Sequence, residues 1–291
     1  MVRFLIIRFS SIGDIILTTP VVRHLKTQVE DAEIHYLTKA AYASLLEANP
    51  YIDQIHSLNG NMGPTIRELK EWHFDYLIDL HHNTRSARVK LGLKRMYFSV
   101  RKLNLQKWLL VNFRIDRLPE LHMVDRNLET ITSFIERQDK KGLDYFIPAH
   151  EEVPLTDLPE AFREGYIGLA IGAQHATKKL PQDMLISLCE KLERPVVILG
   201  GPGDRDMGNA IIQALPQRTL LNTCGQYSIH QSASLVRQSN MLITHDTGLM
   251  HIAAALGKKI ISIWGNTIPE FGMYPYRTDP SSAIFELTDL S

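Results

Sequence analysis

A short polar turn in the C-terminal half of the chain carries the residues best suited to bind an anionic group. The strand candidate 241–244 is followed by His245 and by Asp246-Thr247-Gly248, which leads into a helix of small and apolar residues. A helix that begins at Thr247 or Gly248 directs unpaired N–H groups and its positive dipole end into this turn, which favours a phosphate. Asp246 would repel phosphate, so it either binds a ribose or sugar hydroxyl or caps the helix. A capped turn without a ligand is the structural alternative.

A second strand–turn–helix segment lies at the start of the chain. The apolar run 3–9 is followed by a polar turn that ends in Gly13-Asp14, and apolar residues near helical spacing predict a helix over 15–29 despite Pro20. The helix dipole favours the ionised form of an acid in the first turn. An ionised Asp14 is able to accept a proton as a general base. The structural alternative, Asp14 as an N-cap, stays open.

A lysine suited to phosphate follows the strand candidate 166–171. The loop runs from Gly172 through Thr177 and Lys178 to Pro181. Proline suits the first turn of a helix, so Lys178 is expected just before a helix N-terminus. A lysine in that position holds a phosphate as a point charge. An exposed loop lysine is the alternative.

Polar residues also follow the strand candidate 76–80, namely His81, His82, Asn83 and Arg85. Ligands of parallel sheets bind beyond the carboxyl ends of the strands, so contact with an acceptor substrate is the functional hypothesis and a structural role is the alternative. A metal site is poorly supported, because no other His or Cys has a spacing that would complete it.

Composition limits the classes of protein that need considering. The chain has 291 residues, a formal net charge of zero and two cysteines. This length suffices for two ordinary domains, and a neutral charge gives no reason to expect a nucleic-acid partner. The cysteines do not form a CxxC, which fits a reducing cytoplasm, and no apolar run reaches transmembrane length. We therefore expect a cytoplasmic protein of two domains.

Strand and helix candidates alternate along the chain, which predicts parallel sheets covered by helices. The strand candidates are 4–9, 33–37, 76–80, 166–171, 195–199, 241–244 and 259–264, and the helix candidates are 40–48, 65–71, 123–138, 182–192 and 230–238. A segment rich in proline and acids, 148–164, interrupts the pattern and marks a boundary. The sequence predicts two doubly wound domains, 1–155 and 156–291, that face a cleft.

One stretch is strongly basic. Between Arg85 and Arg117 there are ten Lys and Arg residues against a single acid, Asp116, with Trp108 and Phe113 among them. Such an excess favours an anionic membrane surface or a phosphorylated acceptor as the partner. The alternative is a solvated helix face whose apolar residues pack in the core.

These segments together resemble glycosyltransferase family nine, the ADP-heptose:lipopolysaccharide heptosyltransferases. The motifs stand in the family's order and span nearly the whole chain. They are Arg8-Phe-Ser-Ser-Ile-Gly13-Asp14-Ile-Ile-Leu-Thr-Thr-Pro20, then Gly172-Ala with Thr177-Lys178-Lys-Leu-Pro181, then Asp246-Thr-Gly-Leu-Met-His251, and finally Ile263-Trp-Gly-Asn-Thr-Ile-Pro269. The helix before the Asp-Thr-Gly turn begins Ser228-Ile-His230-Gln231 and lacks the acid that family members usually carry there.

The resemblance implies a GT-B fold, with the acceptor on the N-terminal domain and the nucleotide sugar on the C-terminal domain. It makes Asp14 the general base of an inverting transfer that needs no metal and no cofactor. The implied donor-site residues are Thr177, Lys178, Asp246, Thr247, Gly248, Leu249 and His251. The expected acceptor-site residues are Ser11, Gly13, His81, Asn83, Arg85 and Arg88.

The function predicted is therefore transfer of a heptose or related sugar from an ADP-sugar to a lipopolysaccharide inner-core acceptor or another phosphorylated glycolipid. We expect the protein in the cytoplasm, with a peripheral contact to the inner membrane. Three alternatives remain: a GT-B transferase that uses another nucleotide sugar, a nucleotide-sugar epimerase on the same fold, and a non-catalytic nucleotide-sugar-binding module.

Overall fold

The chain forms two compact units, each built around its own sheet. The computed structural model describes residues 1–103, 106, 108, 112–115, 117, 119, 121–173, 178–265 and 268–286. The first unit comprises Met1–Phe146 together with Glu270–Tyr274, and the second comprises Ile147–Pro269 and Pro275–Ser291. The change of unit thus follows Phe146, whereas the sequence analysis expects it at residues 155–156.

The first unit contains a five-stranded parallel sheet with the strand order β3-β2-β1-β4-β5. Its strands are β1 (Val2–Ile7), β2 (Ala32–Lys39), β3 (Gln54–Leu58), β4 (Tyr76–Asp79) and β5 (Met96–Ser99). Its helices are α1 (Ile12–Ile16), α2 (Thr19–Gln28), α3 (Met62–Glu71), α4 (Thr84–Leu93) and α5 (Met123–Glu129), and Ala40–Leu46 is a 3₁₀ helix. Because β1 is the central strand, the turn after it lies at the middle of the carboxyl edge.

Both faces of this sheet are covered by apolar side chains. On one face, Leu5 and Ile7 pack in a buried cluster with Leu69 of α3. On the other, the ring of Phe4 meets the edge of Phe134 with their centroids 5.2 Å apart. Burial on both faces explains why β1 is a continuous apolar run rather than an alternating one.

The second unit contains a six-stranded parallel sheet with the order β11-β10-β9-β6-β7-β8. Its strands are β6 (Ile167–Ala170), β7 (Val196–Leu199), β8 (Leu220–Asn222), β9 (Met241–His245), β10 (Ile260–Trp264) and β11 (Ala283–Glu286). Its helices are α6 (Gln182–Lys191), α7 (Arg205–Ala214), α8 (Ile229–Gln238) and α9 (Gly248–Ala255). Since β6 and β9 are neighbours, the loops that leave their carboxyl ends are brought together.

The strands that the sequence analysis missed are the edge strands of the two sheets, β3, β5, β8 and β11. Edge strands bury fewer side chains than central ones: β5 has no buried residue, and neither has β11. The hydrophobic signal that predicts a central strand is therefore weak in them. The seven central strands are confirmed, with differences only at their ends.

The helix predicted over 15–29 is wrong as a single element. The structure has two helices there, α1 and α2, and Pro20 occupies the first turn of α2. A proline fits that turn because its missing N–H would have no helical partner, so Pro20 starts a new helix. The predicted helix 123–138 is also too long, because α5 ends at Glu129, and α4 and α7 were not predicted.

The basic stretch begins with α4 and β5. Further along, Trp108 is 52% exposed and Phe113 is 58% exposed, with their ring centroids 5.1 Å apart. The alternative in which these two aromatic residues pack in the core is therefore wrong. Residues 104, 105, 107, 109–111 and 116 of the stretch lie outside the described residues. In the part of the chain that the structure describes, no helix has the length and apolar character needed to cross a bilayer.

Candidate active site

Asp14 lies in the first turn of α1, directly beyond the carboxyl end of the central strand β1. Ser11 is the N-cap of α1, and Asp14 stands at the third helical position. The Ser11 backbone N–H donates to Asp14 Oδ2 over 3.1 Å, and the Ser11 hydroxyl donates to the same oxygen over 2.9 Å. Asp14 is thus not the N-cap, and Ser11 and the buried Gly13 shape the turn that presents it.

Arg8 is the partner of the other carboxylate oxygen. Its Nη2 lies 2.7 Å from Asp14 Oδ1, and the carboxylate side chain remains 20% exposed. Burial alone would raise the pKa of Asp14, but the Arg8 charge and the Ser11 hydrogen bonds outweigh it, so the pKa lies below its usual value. Asp14 is therefore ionised at neutral pH. Each of its oxygens has more than one acceptor position, which leaves room for a substrate hydroxyl.

The turn that follows β4 is organised by a residue that the sequence analysis did not single out, Asp79. This fully buried carboxylate accepts hydrogen bonds from the N–H groups of His81 and His82, at 3.1 and 2.7 Å, and forms an ion pair with Lys90 at 2.8 Å. His81 is placed against the edge of the Phe9 ring, with centroids 5.0 Å apart. An acid at the last position of a buried strand is the signal that marks such a turn.

The remaining predicted acceptor residues lie on or beside α4. Asn83 is the N-cap of α4 and accepts a hydrogen bond from the Ser86 N–H over 3.0 Å. Arg85 and Arg88 are exposed on the helix. Asn83 thus has a structural role, while the two arginine side chains are accessible to an anionic ligand.

The predicted helix start after β9 is confirmed. Thr247 is the N-cap of α9, and its hydroxyl accepts a hydrogen bond from the Met250 N–H over 3.3 Å. The N–H groups of Gly248 and Leu249, in the first turn, have no partner within the helix and lie at its positive dipole end, an arrangement that favours an anion. His251 is buried one turn further on.

The structure brings Lys178 and Asp246 together from positions 68 residues apart. The Lys178 ammonium donates to Asp246 Oδ2 in an ion pair, and the two side chains are 24% and 10% exposed. Asp246 is therefore the counter-charge of Lys178 and does not cap α9. An ammonium has three donors, so Lys178 retains two for a phosphate after one is given to Asp246.

Two side chains position the loop that carries Lys178. The N–H of Leu180 donates to Nε2 of the buried His245 over 3.2 Å, which ties the loop to the end of β9. Asp204 forms an ion pair with Lys179 at 2.5 Å and accepts a hydrogen bond from the Gly201 N–H at 2.9 Å. Pro181 is the N-cap of α6, one position earlier than expected, and Thr177 lies outside the described residues.

A carboxylate that the sequence analysis missed lies at the start of α8. Ser228 caps this helix together with Gln231, and the Ser228 hydroxyl also donates to Glu151 Oε2 over 2.8 Å. The helix α8 itself contains no acid, but Glu151, 77 residues earlier in the chain, supplies a carboxylate beside its start. No sequence spacing connects these two residues.

Comparison with protein families decides the assignment. The family model of glycosyltransferase family 9 (heptosyltransferase) matches residues 62–282, which is most of the chain. The chain belongs to glycosyltransferase family 9. This family 9 protein is a glycosyltransferase, and the predicted enzyme class is confirmed.

Individual proteins agree with this assignment. Lipopolysaccharide heptosyltransferase 1 of Campylobacter coli is 24% identical over 293 residues, covering 91% of this chain and 84% of that protein. The glycosyl transferase family 9 structure from Veillonella parvula has a TM-score of 0.78 at 21% identity, covering 99% and 86% of the two chains. The Escherichia coli ADP-heptose lps heptosyltransferase II has a TM-score of 0.77 at 21% identity, covering 97% and 89%. The predicted GT-B fold is confirmed by these structures.

The histidines of this family 9 enzyme lead to a prediction for its stability in acid. Burial lowers the pKa of both His81 and His245 to about 4, and burial also lowers the pKa of His35 and His56. An unfolded histidine has a pKa near 6.5, so unfolding takes up protons as the pH falls below about 6.5. The contribution of these neutral rings is complete above that pH and declines towards pH 4.

We therefore expect the melting temperature to fall steadily between pH 7 and pH 5, where most carboxylates are still ionised. Thermal melts followed by circular dichroism measure this slope. The variant His245→Gln keeps an acceptor for the Leu180 N–H but does not titrate, so its slope should be smaller. A melting temperature that is flat over this range would contradict the assignment of neutral buried rings.

Proposed function

We propose that this enzyme transfers a heptose, with inversion and without a metal, from an ADP-heptose donor to a lipopolysaccharide inner-core acceptor. The donor is proposed from the name of the Escherichia coli structure with the same fold, and the acceptor from the names of the lipopolysaccharide heptosyltransferases it resembles. The first unit would hold the acceptor and the second unit the donor. The ADP-sugar is a substrate, and no cofactor is involved.

The observation that carries the proposal is the environment of Asp14. An inverting transfer is a single displacement that needs one carboxylate to take the proton of the attacking hydroxyl. Arg8 and Ser11 keep Asp14 ionised, as this role requires. The acceptor oxygen attacks the anomeric carbon, the bond from that carbon to the diphosphate oxygen breaks, and the hydroxyl proton passes to Asp14.

The leaving diphosphate is stabilised by the donor turn of the second unit. Lys178 supplies a positive charge, and the free N–H groups of Gly248 and Leu249 supply hydrogen bonds at the positive end of α9. Asp246 is available to a hydroxyl of the sugar or ribose through its second oxygen, since Lys178 engages only Oδ2. These groups take the place that a divalent cation has in metal-dependent transferases.

The direct test supplies purified protein with ADP-heptose and a delipidated inner-core acceptor, and examines the product by NMR. The expected product carries one added heptose whose anomeric configuration is opposite to that of the donor. A panel of other nucleotide sugars, titrated by calorimetry, tests the rival donor. Conversion of the donor without any acceptor would favour the epimerase, and donor binding without turnover would favour the non-catalytic module.

Activity is expected to survive removal of divalent cations. Among the described residues there is no group of three or more His, Cys, Asp or Glu side chains that would hold a metal ion. The assay is turnover after dialysis against EDTA, with the rate before dialysis as the reference. A loss of activity that Mg²⁺ or Mn²⁺ restores would overturn metal-independent transfer.

We propose further that the basic stretch holds the enzyme at the membrane that carries the acceptor. Trp108 and Phe113 are exposed beside exposed cations, a combination typical of proteins that bind an anionic lipid surface. Each cation near such a surface contributes about 1 kcal/mol, and salt screens this attraction. Much of this attraction is removed when four exposed cations of the stretch are replaced by Ser. The four are Arg95, Lys102, Arg114 and Arg117.

This fourfold variant is expected to bind vesicles containing phosphatidylglycerol at least roughly tenfold more weakly than the parent. Its nucleotide-sugar affinity should be unchanged. The control carries Ser at four exposed cations outside the stretch: Lys140, Lys141, Lys191 and Arg194. Trp108→Ser should also weaken vesicle binding without lowering the melting temperature. Equal vesicle binding by both fourfold variants would refute a specific contact by this stretch.

A further inference from the structure

The first unit contains a polar cavity of about 300 Å³ at the carboxyl edge of its sheet. Its walls are formed by the end of β5, the residues after it, and the C-terminal part of α5 with the turn that follows. The lining residues are Ser99, Arg101, Arg126, Glu129, Thr130 and Thr132. Nothing in the proposed transfer mechanism uses this cavity.

Arg126 is a buried cation that forms no ion pair among the described residues, although the charge of the exposed Glu129 acts on it. Its side chain belongs to a residue that is 4% exposed, and its Nε has no hydrogen-bond partner. Its Nη2 donates to the Phe271 carbonyl over 3.1 Å, a neutral partner. A buried charge without an ion pair is costly, so its surroundings are expected to supply an anion.

Arg23, the other buried arginine of the described residues, provides a comparison, because its guanidinium has carboxylate partners. It forms ion pairs with both Asp139 and Asp144. Burial would lower the pKa of Arg23, but these two carboxylates raise it above its usual value. Burial lowers the pKa of Arg126, and the Glu129 charge offsets this only in part. The contrast lies in the ion pairs: Arg23 has two carboxylate partners, whereas Arg126 lines a cavity and forms no ion pair among the described residues.

Ser99 provides a second group that suits an anion. Lys90 donates to the Ser99 oxygen over 2.9 Å, so the Ser99 hydroxyl proton is free to donate elsewhere. The hydroxyls of Thr130 and Thr132 already donate to carbonyls of α5. Arg101 adds an exposed positive charge, and Glu129 is the single acid in the lining. Two cations against one acid leave the cavity with a net positive charge.

We propose that this cavity is an oxyanion subsite in which Arg126 and Ser99 bind a phosphate or carboxylate group. Such a group supplies the close ion pair and the Nε hydrogen-bond acceptor that the buried guanidinium lacks among the described residues, and it accepts the Ser99 hydroxyl proton. Arginine is well suited to this task because its planar fork matches both kinds of anion.

The position of the cavity points to the source of the anion. Ser99 is paired in register with Asp79, and Asp79 with Ile7, so the ends of β5 and β1 are two strand spacings apart, about 10 Å. Next to Arg126, Asn127 donates to the Leu17 carbonyl at the end of α1, the helix that carries Asp14. An anionic substituent of the acceptor would therefore be held near the base, an assignment of source that rests on the proposed function. Free phosphate is the other source of the same chemistry.

The first test measures binding of inorganic phosphate by isothermal titration calorimetry, with saturating ADP present to occupy the donor site. Arg126→Gln and Ser99→Ala should each weaken phosphate binding, the former by roughly tenfold to a hundredfold because a charge-assisted hydrogen bond is lost. The control Arg137→Gln removes an exposed cation of the same unit and should leave it unchanged. If Arg126→Gln fails to fold, Ser99→Ala still tests the subsite, because removal of the Ser99 hydroxyl leaves the Arg126 guanidinium in place.

The second test distinguishes the two sources by steady-state kinetics. If the acceptor supplies the anion, phosphate competes with the acceptor, and both Arg126→Gln and Ser99→Ala raise the acceptor KM while the donor KM is unchanged. If phosphate binds and the variants weaken it without competition, the subsite is confirmed and its ligand is the free ion. Absence of phosphate binding in the parent, together with an unchanged acceptor KM in both variants, overturns the subsite. Failure of every sugar to transfer would refute the proposed function but would leave the phosphate result standing.

Discussion

Asp14→Asn is expected to reduce kcat by roughly 10²–10⁴-fold, the range typical of a positioned general base. The amide has nearly the same shape but cannot take the proton of the acceptor hydroxyl. Donor affinity should change little, because the donor is proposed to bind the second unit. Turnover and calorimetric donor binding are measured on the same preparation. A variant with near-native turnover would leave Asp14 with only a structural role, as the acceptor of the hydrogen bonds from the N-cap residue Ser11.

A control separates loss of the base from loss of a helix charge. Asp183 is an exposed acid in the first turn of α6, so it has the same favourable interaction with a helix dipole as Asp14. Asp183→Asn should leave turnover unchanged. Because Asp14→Asn also weakens the bonds from Arg8 and Ser11, its melting temperature is recorded, and kcat is compared well below that temperature.

Lys178→Met should lower kcat by roughly 10²–10³-fold, the loss seen when one preorganised donor to a developing negative charge is removed. Donor binding should weaken as well, since the ammonium is proposed to contact the diphosphate both before and during bond cleavage. Lys191→Met, at the exposed far end of α6, is the matched control and should behave as the parent. Donor affinity and kcat that both stay within a factor of about two of the parent would contradict the phosphate role.

Stability and catalysis are separable at this ion pair. Lys178→Met leaves Asp246 unpaired with its side chain only 10% exposed, and removal of one partner from such a pair destabilises the fold. The double variant Lys178→Met/Asp246→Asn removes the stranded charge, so its melting temperature should recover. Its kcat should remain low. Recovery of both quantities would mean that Lys178 acts only through the fold.

Whether the sequence predicted a given helix or strand depends on how many apolar side chains that element buries. β1, β6 and β9 are central, and their apolar runs were sufficient to predict them. The edge strands β5 and β11 carry mostly exposed side chains and gave no such signal. Hydrophobic periodicity predicts one helix over 15–29 because it does not register a short break between two helices, whereas Pro20 in fact begins the second helix.

The sequence by itself determined the family, the two parallel sheets and the identity of the chemical groups: an acid at 14, a lysine at 178 and the helix start at 247. These features are local, since each depends on a strand, a turn and a helix that are consecutive in the chain. Only the tertiary structure decided the partners. Lys178 meets Asp246 because β6 and β9 are neighbours in the sheet, and Glu151 meets Ser228 through contacts that no spacing encodes. That the buried Arg126 forms no ion pair with any described residue was equally invisible, because pairing depends on every side chain packed around the charge.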